Sequence, residues 1–334
     1  MNKPLFKITD SIINLVAEIN NKLGYLEANI DNKKNLYLRK ESKIKSVNSS
    51  CAIEANPLTE SEVENIINGK KVIAPTTEII EVQNAYEAYM KINTFRPYDI
   101  KSFLVAHKCL TSKLIKDSGE FRTGDVAVYE NNVVVHIGAR PEYIEKLVFE
   151  LFNWGKNSEV NELIKACIIH YEIETIHPFS DGNGRVGRLW QSVILYNYNN
   201  LFEFIPTETL VYENQQDYYN AIENSRKINS STPFIEYMLN IILKTIDSFN
   251  DKVFNKIREE YVRDLTTTEK KMLDIIISNF SLDEFITTEK LIDKIDKAPS
   301  SIRLYLKKFT DKGILIASGE NKGRKYRINK GILK

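Results

Sequence analysis

A mainly α-helical fold is predicted by three observations on the sequence. Gly and Pro are scarce, 13 and 9 of 334 residues, so breakers of regular helix are few. Apolar residues recur at spacings of three and four through most of the chain, the signature of amphipathic helices. Strand signals are confined to two hairpin-like stretches, one near residues 126–136 and one near 314–328.

The elements follow in order. Ile8, Ile12, Leu15, Ile19 and Leu23 mark one face of a helix over 8–23, and a more polar helix follows over 25–47. Thr59-x-x-Glu62 is a capping box that opens a helix running to about Asn68-Gly69. Helices are expected over 75–93 (Ile79, Val82, Ala85, Tyr86, Tyr89) and 99–117 (Phe103, Leu104, His107, Leu110, Leu114), with His107 in the core. Two Val-rich runs, Val126-Ala127-Val128 and Val133-Val134-Val135, flank Glu130-Asn131-Asn132 and read as a β-hairpin. A lone hairpin is marginal in water, so it must lean on the helices. Helices over 142–154 and 159–175 lead to the densest chemistry in the chain. His170, seven residues before His177, has no third ligand near it in sequence and reads as a core or supporting residue. Beyond the break at 202–206, one more helix carries Tyr212, Tyr218 and Tyr219, and a long helix covers 233–262.

That chemistry is the stretch His177-Pro178-Phe179-Ser180-Asp181-Gly182-Asn183-Gly184-Arg185-Val186-Gly187-Arg188. Pro178 and the Gly-Asn-Gly run force a loop, and the apolar spacing after Gly184 restores a helix. A loop entering a helix N-terminus offers free backbone N–H groups and the positive end of the helix dipole, which together suit phosphate. Arg185 and Arg188 share one helix face and can each fork onto phosphate oxygens. Asp181 is a hard oxygen ligand that suits Mg²⁺. His177 titrates near neutrality and can take a proton from a hydroxyl. A dinucleotide fingerprint, Gly182-x-Gly184-x-x-Gly187 with Glu203 as the ribose carboxylate, is disfavoured because no strand leads into the loop.

The stretch 177–188 resembles the signature of Fic proteins, His-Pro-Phe-x-Asp-Gly-Asn-Gly-Arg-x-x-Arg, across its full length. The resemblance implies a Fic-type helical bundle with a β-hairpin flap, and transfer of AMP from ATP to hydroxyls of other proteins. Doc-type kinases resemble it too but carry a basic residue where this chain has Gly184, which favours nucleotidyl over phosphoryl transfer. By the same resemblance His177 is the base, Asp181 holds Mg²⁺, and Gly182, Asn183 and Gly184 stabilise the α-phosphate. Arg185 and Arg188 clamp the outer phosphates, and Tyr219 contacts the adenine. The flap, Val126, Ala127, Val128, Val133, Val134 and Val135, pairs with an extended piece of the protein target.

Upstream, Ser50-x-x-x-Glu54 within a stretch spanning about 49–68 resembles the inhibitory segment of many Fic proteins, with Ala55 in place of the usual Gly or Asn. The resemblance implies that Glu54 pairs with Arg188 and keeps the γ-phosphate of ATP from seating. A carboxylate and a triphosphate cannot share one guanidinium without like-charge cost. Two other readings stand beside AMP transfer: removal of AMP with Glu54 positioning a water, and a nucleotide-sensing DNA-binding regulator.

The regulator reading comes from the C-terminal module. Thr266-Thr267-Thr268-Glu269, Thr287-Thr288-Glu289 and Ser300-Ser301 open three short helices, and Ile314–Ala317 with Arg324–Ile328 form a hairpin around a Gly- and Lys-containing turn. That order is expected of a winged helix. Residues 266–334 carry twelve Lys and three Arg against nine acids, a net +6, which leaves about −5 for the rest of a chain of net +1. The asymmetry favours a nucleic-acid face, while protein docking is the other use of such a module. The expected organisation is therefore an N-terminal helical region over 1–95, a Fic core over 96–262 and a winged helix over 263–334.

The bulk properties are those of a soluble globular chain, 43% hydrophobic and 27% charged. Three scattered cysteines, Cys51, Cys109 and Cys167, suggest a reducing compartment and no structural zinc. No run of about eighteen apolar residues exists and no signal peptide is evident, so the expected location is the cytoplasm without membrane contact. Self-pairing into a homodimer is common among Fic relatives.

Overall fold

The computed structural model describes residues 3–29, 36–130, 133–281, 284–295, 297–319 and 323–329. The chain divides into two compact units, Met1–Ile246 and Asp247–Lys334. Among the described residues no helix is long and apolar enough to cross a membrane.

Among its described residues the first unit is helical apart from one hairpin. It opens with α1 (Asp10–Asn29) and α2 (Leu36–Ile53). Ile8 lies ahead of α1 and is 47% exposed, so the buried face begins only at Ile12. Then come α3 (Glu60–Ile67), α4 (Thr76–Met90) and α5 (Ile100–Thr111). The capping box of α3 forms as expected, with the Thr59 side chain accepting from Glu62 N and the Glu62 side chain accepting from Thr59 N. Strands β1 (Ala127–Glu130) and β2 (Val133–Ile137) pair antiparallel, with Ala127 opposite Ile137 and Glu130 opposite Val133. The register shifts between Val128 and Tyr129, a bulge at the middle of the hairpin. Val126 falls just before β1, and the expected turn at Asn131-Asn132 lies outside the described residues.

After the hairpin come α6 (Pro141–Asn157), α7 (Glu162–Ile176), α8 (Asn183–Tyr198), α9 (Thr207–Glu213), α10 (Gln215–Lys227) and α11 (Thr232–Val262), the last of which continues past Ile246 into the second unit. A 3-10 turn over Asn200–Phe204 follows α8. The single helix expected around Tyr212–Ile222 is two, separated at Asn214.

The chemistry-bearing loop 177–182 joins α7 to α8, and these two helices make the most extensive interhelical contact in the chain. α7 is buried nearly all round, as a central helix must be. Phe103, Phe152, Phe179 and Trp190 pack as one aromatic cluster, with Phe103 5.3 Å from Phe179 and 5.0 Å from Trp190. All four rings are buried, and their mutual packing holds Phe179 in place within the motif.

The second unit has its own core. α12 (Thr267–Asn279), α13 (Thr288–Ile292) and α14 (Pro299–Asp311) are followed by β3 (Leu315–Ser318) and β4 (Lys325–Ile328), which pair antiparallel. Met272, Leu273, Ile276, Leu291, Ile302, Leu306, Phe309 and Tyr326 fill the interior. Ile286 makes an isolated antiparallel bridge to Tyr326 of β4. This is the element order of a winged helix; the tip of its hairpin, 320–322, lies outside the described residues. Leu304 on α14 faces outward, at 67% exposure.

His107 is fully buried, as expected, and stacks on Phe179 with ring centroids 3.6 Å apart. The Gly119 amide donates to its Nδ1 at 3.0 Å, so Nε2 carries the proton and donates to the Asp181 carbonyl at 2.9 Å. Burial holds its pKa down at about 4, against 6.5 when free. The sign follows: between pH 6.5 and 4 the unfolded chain binds a proton here that the folded chain refuses, so stability falls on acidification, by up to ~1.4 kcal/mol per pH unit. Urea denaturation at pH 6.5, 5.5 and 4.5 should show a shallower acid loss for His107→Asn than for the wild type. Equal slopes in the two proteins would rule out that linkage.

Candidate functional site

The site is built where α2, α7, α8 and α10 meet. α7 ends in a left-handed residue, His177 at φ +53, whose N–H still closes the helix on the Ile173 carbonyl at 2.9 Å. A histidine tolerates that conformation better than most residues do, but at a cost. The turn projects the imidazole away from the helix axis. Gly182, at φ +80, caps the N-terminus of α8, where any Cβ would strike Thr111.

Asn183, expected to reach phosphate with its side chain, is turned back on the loop. Its Oδ1 accepts from Phe179 N and its Nδ2 donates to Phe179 O, both at 2.9 Å, and the residue is 2% exposed. It therefore closes the loop as a peptide mimic. Asp181 is more open, with its side chain 57% exposed. One oxygen accepts from Gly182 N at 2.6 Å and the other from Arg185 Nη2 at 3.1 Å.

Arg188 lies on the first turns of α8 and is 3% exposed. Its Nη2 donates to Glu54 Oε1 at 2.7 Å and to the Ser50 carbonyl at 3.1 Å, and its Nε reaches Ser50 Oγ at 3.4 Å. Burial works against the guanidinium charge, but Glu54, followed by Tyr218 and Glu174, more than reverses this and holds it ionised. The structure thus brings together Ser50, Glu54 and Arg188 as the sequence reading expected.

Glu54 stands at the C-cap of α2, and its surroundings account for the Gly or Asn that Fic proteins carry after it. Ala55 N donates to Ala52 O at 3.0 Å and Asn56 N to Cys51 O at 3.1 Å. These two bonds make a Schellman motif, whose C′ residue must be left-handed. Ala55 holds that position at φ +66, where a side chain costs roughly 1–2 kcal/mol.

A cavity of about 660 Å³ opens over these groups, bordered by Glu54, His177, Gly184, Arg188 and Tyr219, with Val134 from the hairpin. Tyr219 is 43% exposed, and its hydroxyl receives a hydrogen bond from Gln215 at 3.2 Å. Gln215 also donates to the Ile53 carbonyl at 2.9 Å, tying α10 to the end of α2. Val134 is the one hairpin residue on the cavity wall among the described side chains. Arg185 does not line it: Nη1 pairs with Glu81 at 2.6 Å and Nη2 with Asp181. Asn56 donates to the other Glu81 oxygen at 2.7 Å. Both arginines expected to clamp phosphate are therefore held by carboxylates from the N-terminal helices.

Glu174, Glu81 and Arg226 had no role assigned from the sequence, whereas His170 was expected as a core or supporting residue. Glu174 borders the cavity three residues before His177. Burial pushes its carboxyl up, but His170, then Arg188 and His177, outweigh this and hold it at about 2. His170 is fully buried, bonded to Gln191 through Nδ1 and to Tyr218 through Nε2 at 3.0 Å. The i, i+4 spacing of His170 and Glu174 was a legible signal that both face the same side. Glu81 and Arg226 carried no such signal, since their roles depend on helices that meet only in the fold. Around His177, burial first and then Arg122 and Arg226, opposed by Glu174, lower the imidazole pKa from its ordinary value. A neutral imidazole at neutral pH keeps a lone pair to accept a proton.

No group of three or more His, Cys, Asp or Glu side chains suited to a metal occurs among the described residues. A single exposed carboxylate such as Asp181 nevertheless fits Mg²⁺ that arrives with a nucleotide, because that ion keeps most of its shell as water and phosphate oxygen.

Residues 97–195 match the model of the Fic/DOC family. A protein adenylyltransferase Fic of Nematostella vectensis is 27% identical over 222 residues, 63% of this chain and 49% of that protein. The Drosophila melanogaster protein of the same name is 25% identical over 222 residues, 63% of this chain and 43% of that protein. The chain thus spans about half the length of these curated relatives or less. Among solved structures, a Fic family protein from Desulfovibrio desulfuricans G20 matches with a TM-score of 0.72 and 29% identity, over 98% of this chain and 99% of that one. A C. elegans Fic-1 fragment shares the fold at a TM-score of 0.59 and 20% identity. With the 177–182 loop capping α8, these likenesses identify residues 97–195 as a Fic/DOC family domain.

Proposed function

We propose that the chain transfers AMP from ATP to a serine, threonine or tyrosine hydroxyl of a protein, and that Glu54 restrains the reaction. The observation that carries this reading is the 2.7 Å pair between Glu54 and Arg188 on the wall of the cavity that holds His177.

In this reading the target hydroxyl approaches along the β1–β2 hairpin, whose open edge can take up an extended segment by strand pairing. Its oxygen attacks the α-phosphorus of ATP. The hydroxyl proton passes to His177, the bond from the α-phosphorus to the bridging oxygen breaks, and pyrophosphate leaves with that electron pair. The first N–H groups of α8 face the developing charge on the α-phosphate, with the helix dipole behind them. Asp181 holds Mg²⁺, which neutralises phosphate charge when bound. Arg188 receives the outer phosphate once Glu54 withdraws, and Arg185 joins it on release from Glu81. Tyr219 offers its ring to the adenine. Positioning accounts for most of the effect, since the protein makes no covalent bond.

A second reading is favoured by Glu54 sharing a cavity with His177: the same carboxylate can orient a water that removes AMP from a modified protein. Release of AMP on incubation with an AMP-modified target distinguishes the two directions. The basic winged-helix unit supports a further DNA-contacting role, which a gel shift that weakens with rising salt tests directly.

With α-labelled ATP, His177→Ala should lower label transfer by ~10²–10⁴-fold, the usual worth of a general base. Glu54→Gly should raise it at least ~tenfold, the equivalent of removing a competitor worth about 1.4 kcal/mol. Wild-type labelling by Glu54→Gly would remove the restraint from this account.

Ala55→Gly should act in the opposite sense. Relieving the left-handed alanine firms the end of α2 by about 1 kcal/mol, which corresponds to a roughly fivefold tighter restraint. The check is a lower labelling rate together with a higher melting temperature; a rise in labelling would contradict it.

A further inference from the structure

The hairpin and the catalytic turn meet at a residue that no motif marks. Arg122 is 4% exposed, and the hydrogen bonds its side chain makes all go to main-chain carbonyls. Its Nε donates to the His177 carbonyl at 2.8 Å, its Nη1 to Gly124 O at 2.6 Å, and its Nη2 to Ala139 O. Its own backbone N–H donates to Pro178 O at 3.0 Å. These acceptors come from three separate segments: the left-handed turn after α7, the approach to β1, and the exit from β2. Three carbonyl oxygens converging on one buried point repel one another. A planar cation with five N–H groups in a fixed fork removes that repulsion and sets the spacing of all three.

Backbone bonds complete the joint. Gly138 N donates to Val126 O and Ala139 N to Ile176 O, both at 3.1 Å. Gly138 is glycine for a visible reason: a Cβ there would come within 2.6 Å of Arg122 Nη2 and 3.2 Å of His177 Cβ. Burial works against the Arg122 charge, eased by Asp125, so the guanidinium is retained at a cost that plain packing would not require. His136 on β2 adds a second tie, with Nε2 2.8 Å from the Thr175 carbonyl and its ring 6.4 Å from that of His177.

We propose that Arg122 is a positioning residue that locks both feet of the β1–β2 hairpin to the His177 turn, so that one buried guanidinium sets where a docked target strand lies relative to the imidazole. This inference rests on the adenylyl-transfer reading for its consequence in catalysis, but the lock itself is a property of the fold. Arg122 does not border the cavity, so its loss should spare nucleotide binding and impair transfer.

The test uses the full chain carrying Glu54→Gly, with Arg122→Lys added. Lysine keeps the charge and loses the fork, so it cannot hold three carbonyls. Amide exchange at Gly138 and Ala139 should quicken at least tenfold while the amides of central α7 keep their protection. Affinity for a fluorescent ATP analogue should stay within about twofold. Label transfer to a random peptide library bearing serine, threonine and tyrosine should fall at least tenfold.

A folded Arg122→Lys protein with unchanged exchange at those two amides, or with transfer at the parent rate, would overturn the proposal. Should that variant fail to fold, Gly138→Ala presses on the same joint from the other side and must give the same pattern; parental exchange and transfer there would likewise overturn it. If the Glu54→Gly parent itself transfers no label, the proposed function fails while the exchange measurement still decides the lock.

Discussion

A guanidinium that is 3% exposed constrains everything around it. Removing a charge from water costs several kcal/mol unless a partner and a full set of hydrogen bonds meet it. Arg188 takes its carboxylate from Glu54 and a carbonyl from Ser50, both on α2 and more than 130 residues away in sequence. The end of α2 is therefore held over α8, and with it the wall of the cavity. Glu174 contributes a second negative charge from α7, and His170, Gln191 and Tyr218 form a hydrogen-bonded layer behind it. The pair is asymmetric: removing Glu54 takes the nearest counter-charge from a buried guanidinium, whereas Glu54 itself is 34% exposed and keeps water as a partner.

The same economy runs through the loop. Its floor is aromatic and fixed, with Phe179 between His107 and the Phe103–Trp190 pair. Its carbonyls are tied at both ends, Asp181 O by His107 and His177 O by Arg122. Asn183 closes the middle on Phe179. What stays free is what the chemistry needs: the imidazole, the outer face of Asp181 and the first N–H groups of α8. In the proposed reaction Glu54 would withdraw while this loop keeps its shape, so the geometry around His177 need not be rebuilt each time a nucleotide enters.

How much of this the sequence disclosed depended on how local each cause was. The 177–188 loop was legible because its breakers, its helix start and its ionisable groups all lie within twelve residues. The capping boxes at Thr59 and Thr266 and the two hairpins were legible for the same reason. Glu54 was reachable only through resemblance, since nothing about a lone glutamate after Ser50 says that it caps a helix or meets an arginine. Glu81 and Arg122 were invisible because their partners sit 104 and 55 residues away. The side-chain bonds of Asn183 were not legible for a different reason: a polar side chain in a Gly-rich loop can serve a ligand or the loop itself, and here it bonds to Phe179 of the loop.

Gly184 shows how tightly the restraint and the loop are fitted to each other. A Cβ at that position would collide with the Glu54 carboxylate and come within 3.1 Å of Arg188 Nη1. A side chain there would require the Glu54 carboxylate to shift from its present seat on Arg188. The absence of a side chain at 184 leaves the room that the Glu54 carboxylate occupies. In the proposed reaction it would also leave the backbone N–H open to an incoming phosphate, so one glycine would serve both the reacting nucleotide and the glutamate that restrains it.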